Sequence, residues 1–309
     1  MAEQRASEDT VLTEDPNEVT TCPLRPVAAV NDAEPFLREA DAAMNFGGIR
    51  SSTVMDVGCG TGNSSYALAA LFPNINHVIG VDIEEWCLTI ARQNCPPKSG
   101  NCDIFQFIKG NIETGEGLFQ FRGIRHIVSI HCFSCLKRQK KAFETVHTLL
   151  CPGGGAAFLF AVQMDYYDLL GDLLDHPKWG QYMKDKEDII PESHEKQYDE
   201  NYYRKLLTEI GFEIHTCRTE ETFSSYPNAG NLQKWVLASL PFRQSLPPSL
   251  LSEFREELPM LLKRHAVVND KMACRMYYKI MKIIVFKREE LDVKSQGSPL
   301  DSQQTSDNK

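Results

Sequence analysis

Apolar and polar positions along this chain follow two alternating rhythms. Compact apolar runs at 52–57, 77–82, 104–108, 126–130 and 156–161 predict buried strands. Helical spacing at 63–71, 84–94 and 137–150 falls between them. In the second of these helices Trp86, Leu88, Ile90 and Ala91 are available for packing. Strands alternating with helices predict an α/β fold, a doubly wound and mostly parallel sheet covered on both faces. Two breaker clusters punctuate it, Pro96-Pro97-Lys98-Ser99-Gly100 and Cys151-Pro152-Gly153-Gly154-Gly155. The second closes a helix before the strand at 156–161. A short helix at 35–44 precedes the first strand and ends before Gly47-Gly48. Downstream, helices are expected at 165–186, 198–210, 228–240 and 250–265, with strands at 212–217 and 277–287.

The chemistry concentrates at Val54-Met55-Asp56-Val57-Gly58-Cys59-Gly60-Thr61-Gly62. This is a strand, a glycine-rich turn and a helix start. Glycines at alternate positions let the backbone turn tightly and approach a ligand closely. Free N–H groups at the helix start favour a polar or anionic ligand group. The next strand ends at Asp82, about 20 residues beyond the glycines, where a carboxylate can accept from two ribose hydroxyls. Asp82 also suits an ordinary helix cap. A dinucleotide fingerprint reads G-x-G-x-x-G, whereas here an acid, Asp56, precedes the first glycine inside the strand. Such an acid has no part in cradling a pyrophosphate and suits a ligand with a cationic amino group. Open α/β sheets bind ligands beyond the carboxyl ends of their strands. The end of the strand at 126–130 therefore brings Ser129, His131, Cys132 and Phe133 into consideration.

Composition narrows the class. The chain has 309 residues, 42% of them hydrophobic, enough for one large domain with a sizeable core. A net charge of −9 argues against nucleic acid as the main partner. No apolar run is long enough to span a bilayer, and residues 1–20 are polar and acidic, unlike a signal peptide. Ten cysteines without such a signal predict a reducing, cytoplasmic setting. Only Cys132-x-x-Cys135 has metal or redox spacing; lacking a second pair, it does not predict zinc. Residues 1–30 read as a disordered acidic tail, and 289–309 as a polar one.

The glycine motif with Asp56, and Val81-Asp82-Ile83 after it, resemble the first two motifs of the class I S-adenosylmethionine-dependent methyltransferases. Gln139-Lys140-Lys141-Ala142-Phe143, Leu149-Leu150-Cys151-Pro152-Gly153-Gly154, Trp179-Gly180-Gln181-Tyr182-Met183 and Tyr277-Tyr278-Lys279 follow in order. Together they resemble the arthropod juvenile hormone acid O-methyltransferases. The resemblance implies a seven-stranded Rossmann-like sheet, its last strand antiparallel, spanning 31–288. Helical cap insertions are expected at about 163–195 and 223–272. It implies S-adenosyl-L-methionine as cofactor, held by Asp56, Gly58, Cys59, Gly60, Gly62, Asp82, Ile83, Asn111, Ile112 and Ser129. Asn111 stands where the family commonly has an acid, and Ile112 would pack on the adenine. The implied partner is an apolar carboxylic acid such as farnesoic acid, met by Phe133, Cys135, Met164 and Tyr167.

The chain departs from the family at two places. Cys135 occupies the position of a substrate-holding Trp, and no Gln lies between Asn31 and Thr53. A carboxylate is already ionised at neutral pH and needs no catalytic base. A phenolic or nitrogen acceptor would gain from one, and His131 is the histidine beside the strand end. A third reading is a paralogue that binds cofactor or isoprenoid without turnover.

Overall fold

The computed structural model describes residues 29–49, 52–95, 104–183, 189–240, 246–268 and 273–289. The expected tails and the Pro96 cluster fall outside these residues, apart from 29, 30 and 289.

The first five strands are β1 (Ser52–Val57), β2 (Ile75–Asp82), β3 (Phe105–Lys109), β4 (Ile124–Ile130) and β5 (Leu150–Met164). Three more follow: β6 (Phe212–Tyr226), β7 (Val267–Val268) and β8 (Cys274–Lys287). The sheet order is β3-β2-β1-β4-β5-β8-β6, with the two-residue β7 paired to β8 off this path. β3 to β5 run parallel; β8 is antiparallel to both β5 and β6. This is the expected doubly wound sheet, with its antiparallel closing strand inserted beside β5.

Period-two alternation sorts the strand residues onto two faces. Val54, Val78, Val128, Leu159 and Ile284 share one buried cluster with residues of α1 (Ala29–Met44), α5 (Asp165–Asp175), α8 (Ala229–Ser239) and α9 (Pro248–Leu262). Their neighbours Met55, Ile79, Ile127, Phe158 and Ile283 share another with α4 (Gln139–Leu149) and α7 (Glu200–Ile210). α2 (Asn63–Leu71) and α3 (Glu85–Gln93) complete the nucleotide-binding half, and α6 (Glu192–Glu195) is a single turn.

The helix expected at 165–186 ends at Asp175, where His176 leaves the helical backbone, and three further elements differ from expectation. α1 begins at Ala29 and carries Pro35 inside it. Ala33, Phe36, Leu37, Ala40 and Met44 make a continuous buried stripe, and this packing outweighs the backbone bond that Pro removes. β5 starts at Leu150, so the Pro-Gly-Gly run lies within a strand. A register irregularity between Ile124 and His126 absorbs it. β6 continues nine residues past the expected Cys217 to Tyr226, because β8 pairs with it along the whole length from Phe212↔Lys287 to Tyr226↔Cys274. The stretch Thr219-Glu220-Glu221-Thr222 is polar and carries no apolar alternation of its own.

Candidate functional site

The strand order reverses between β1 and β4, and a cavity of about 600 Å³ opens there at the carboxyl ends of the strands. Its walls come from four loops: Val57 to Thr61 after β1, Asp82 to Trp86 after β2, Gly110 to Glu113 after β3, and His131 to Lys137 after β4.

The β1 loop is folded by its own hydrogen bonds. Gly58 and Cys59 N–H both donate to the Val81 carbonyl, at 2.8 and 2.9 Å. Gly58 has φ +74, and a Cβ there would lie 2.3 Å from Cys132 Sγ. The loops after β1 and β4 therefore touch at a position only glycine fits. Gly60 has φ +54 with open space where a Cβ would stand. Its N–H donates to Asp82 Oδ2 at 2.8 Å, while Asp82 Oδ1 accepts from Glu84 N at 2.9 Å in the turn before α3, whose N-cap is Glu84. Asp82 is therefore not the cap residue of α3; its carboxylate ties the turn before that helix to the glycine loop and lines the cavity. Burial, reinforced by the charges of Asp56 and Asp82, pushes the Cys59 thiol up, so it remains a thiol.

Asp56 lies beneath this loop. It is fully buried, does not line the cavity, and its Oδ2 accepts from Ser64 and Ser65 hydroxyls, each at 2.6 Å. In this position it ties the first turn of α2 to β1, behind Ser64, which itself lines the cavity. Gly62 is the residue before α2, and its missing Cβ makes room for the Tyr66 ring. Ser129 is buried and donates to the Val57 carbonyl at 2.8 Å, joining β4 to β1 behind the cavity.

Gly58, Cys59, Gly60, Asp82, Ile83, Asn111, Ile112, His131 and Cys135 all line the cavity. Asn111 Oδ1 accepts from Glu113 N at 2.9 Å, which fixes the amide's orientation. His131 takes a left-handed backbone, φ 59, and its N–H donates to Leu159 O at 2.6 Å. The chain therefore swings out of the sheet at this residue. Phe133, Met164 and Tyr167 do not line the cavity. Phe133 is a core knob against Phe143, Phe158 and Phe160. Met164 and Tyr167 are buried in the opposite core cluster, where burial of their large apolar surfaces decides their position.

Sequence reasoning missed Trp86, Glu113, Leu136 and Lys137, which also line the cavity. Trp86 was expected among packing residues, yet it is 37% exposed at the mouth. The available signal was positional: each follows a strand's carboxyl end within a few residues. Asp82 and Glu84 stand on the β2 side, whereas the Glu113 carboxylate accepts from Arg138 N, next to Lys137 on the β4 side.

A parallel sheet with an inserted antiparallel strand, a glycine turn at the switch point and an acid at the end of β2 together define a class I, Rossmann-like methyltransferase. A family profile described as a methyltransferase domain matches residues 50–211, more than half of the chain, and the chain belongs to that family. S-adenosyl-L-methionine is the cofactor, and the open face of Gly60 beside the Asp82 carboxylate fits it. The juvenile hormone acid O-methyltransferase of Drosophila melanogaster is 24% identical over 229 residues, covering 74% of this chain and 76% of that protein. Among solved structures, a methyltransferase-class protein of Bacillus halodurans aligns with a TM-score of 0.52 at 16% identity, over 81% of this chain and 99% of its own. The YcgJ protein of a Bacillus species gives 0.52 at 14% identity, over 82% and 100%. These two likenesses concern the fold. No helix among the described residues is long and apolar enough to cross a membrane.

Proposed function

We propose that this methyltransferase esterifies the carboxylate of an apolar small acid of the farnesoic or juvenile hormone acid type. The observation carrying this reading is the similarity to the Drosophila juvenile hormone acid O-methyltransferase along three quarters of both chains. The lining of the cavity supports it. Lys137, Ile130 and Leu136 add a cationic group and apolar surface to the cavity's lining. When bound, S-adenosylmethionine would supply a sulfonium methyl: as the carboxylate oxygen bonded to its carbon, the C–S bond would break and S-adenosylhomocysteine would leave, with no proton to remove. The protein's task is alignment and exclusion of water. In this reading Asp82 holds the ribose hydroxyls, the Gly58–Gly60 turn the amino-acid end, and Asn111 with Ile83 and Ile112 the adenine. Asp56 acts through the serines of α2 and Ser129 through the Val57 carbonyl.

The test is a panel of farnesoic, juvenile hormone and simple fatty acids with labelled cofactor. Methyl ester from the isoprenoid acids is the expected result. Binding of cofactor without any ester would reject the acceptor and leave the fold with another substrate or none. Cys135 lines the cavity with its side chain exposed, so Cys135→Trp has room for a larger group. That variant should raise ester formation from farnesoic acid; an unchanged rate means the acceptor is held by other groups. A second reading follows from His131 at the cavity wall, a base for a phenolic acceptor. It predicts that His131→Gln abolishes turnover, whereas carboxylate methylation tolerates the change.

A further inference from the structure

We infer that Gln139 and Tyr203, two buried residues outside the cavity, are positioning residues for its acceptor wall. The inference rests on the cavity being the place of methyl transfer. His131, Cys132, Cys135, Leu136 and Lys137 form that wall, and the chain leaves the sheet through the left-handed backbone of His131. His131 N–H still donates to Leu159 O at 2.6 Å, and the β4–β5 pairing ends beside it. Within the turn Cys135 N–H donates to Cys132 O at 2.9 Å, Leu136 N–H to Phe133 O at 3.3 Å, and Ser134 Oγ to His131 O at 3.4 Å.

The fixing comes from behind. Gln139 Nε2 donates to the Phe133 carbonyl at 2.8 Å, and Tyr203 Oη donates to Gln139 Oε1 at 2.7 Å. The two bonds use both ends of one amide, so its orientation has a single solution. All three residues are buried. Tyr203 keeps its proton, because burial pushes its hydroxyl well above the ordinary range. Its ring packs on Phe143 and Phe160, which also pack on Phe133. The relay thus runs from α7 through the first residue of α4 to the carbonyl between Cys132 and Cys135. A second tie holds the far end of the wall: Arg138 N–H donates to the Glu113 carboxylate, and Glu113 N–H to Asn111 Oδ1. The carboxylate sits at the start of α4, where the helix dipole favours it.

The consequence is specific. Cys132 abuts Gly58 of the cofactor loop, and Cys135 and Lys137 face the cavity. A shift of this wall alters the acceptor's alignment and leaves the Gly60–Asp82 side untouched. Misplacement by about 1 Å costs up to roughly a hundredfold in rate.

The experiment uses the full chain with Tyr203→Phe, Gln139→Leu and the double variant. Iodoacetamide labelling followed by peptide mapping reads each thiol separately. In both single variants Cys132 should label faster while the buried Cys217 and Cys274 stay at their wild-type rates. Calorimetric affinity for S-adenosylmethionine should stay within about twofold, and kcat on farnesoic acid should fall about tenfold. The double variant should match the worse single one, as two links of one chain do. An unchanged Cys132 rate overturns the inference. So does a rise at all three thiols together, which marks general loosening. If wild-type protein makes no farnesoate ester, the acceptor reading fails by itself, and the thiol map still decides the positioning role.

Discussion

At the residue scale, the site is held by side chains with two duties. Asp82 is the clearest case, accepting from Gly60 N and Glu84 N while lining the cavity. Asp82→Ala should weaken S-adenosylmethionine binding by about 1–3 kcal/mol, the range for hydrogen bonds to a charged group. Calorimetry checks it, and unchanged affinity would place the cofactor elsewhere. Gly58→Ala is the complementary test. The new methyl meets Cys132 at 2.3 Å on a backbone of φ +74, so both strain and clash apply. We expect a stability loss of about 1–2 kcal/mol from the backbone alone, with further cost from the clash. Gly60→Ala has the same backbone strain with open space, so comparing the two in urea separates clash from strain. The glycines and Asp82 were legible in the sequence because their spacing alone carries the argument. Asp56 was legible as an anomaly in a strand, while its partners Ser64 and Ser65 were not, since two serines at a helix start read as ordinary capping chemistry. Phe133, Met164 and Tyr167 were drawn to the cavity by position in the sequence; burial drew them into the core.

At the scale of elements, the parallel half of the sheet follows its hydrophobic rhythm, and the rest is set by pairing. β2, β4 and α2 each fall within a residue or two of their apolar runs, because buried parallel strands read as continuous apolar segments. The second half of β6 could not be read this way. Its outward residues are polar, and only the length of β8 makes it a strand. The same polar residues build a clamp. Arg218 of β6 donates through both terminal nitrogens to Glu39 of α1, at 2.6 and 2.8 Å, and through Nε to Glu220 at 3.0 Å. Glu220 also accepts from Lys282 of β8 at 2.6 Å. The clamp joins the N-terminal helix to the far edge of the sheet. Its groups are partly exposed, so its contribution is screened by solvent. Arg218→Ala should lower stability by less than about 2 kcal/mol and raise amide exchange mainly in α1. Equal exchange across α1 and the nucleotide-binding half would mean the clamp does not govern that helix.

At the scale of the whole molecule, charge and burial set opposite trends as pH falls. The net charge of −9 at pH 7 shrinks toward the pI of about 5.5, which relieves self-repulsion and also lowers solubility. Against this stands His126, 2% exposed on β4, its ring edge-on to Phe46. Burial, with the Arg125 charge beside it, lowers its pKa from 6.5 to about 4. The unfolded chain therefore binds this proton between pH 6.5 and 4 while the folded chain does not. The sign follows: the contribution is complete above pH 6.5 and is lost progressively down to pH 4. The shift is worth on the order of 3 kcal/mol. Glu39 and Glu220 act in a lower window. Arg218 holds Glu39 below its ordinary 4.5 and Lys282 does the same for Glu220, so their contributions persist above 4.5 and fade only below it. Urea titrations in dilute protein at pH 7, 6, 5 and 4.5 should therefore show falling stability well before the carboxylates protonate. His126→Leu should flatten that fall while keeping most of the stability at pH 7. A wild-type slope that survives in the variant would assign the acid sensitivity to other groups. The position of His126 makes this a test of the fold as a whole. It sits at the amino end of β4, opposite the cavity, so acid should loosen the scaffold from the face that takes no part in methyl transfer.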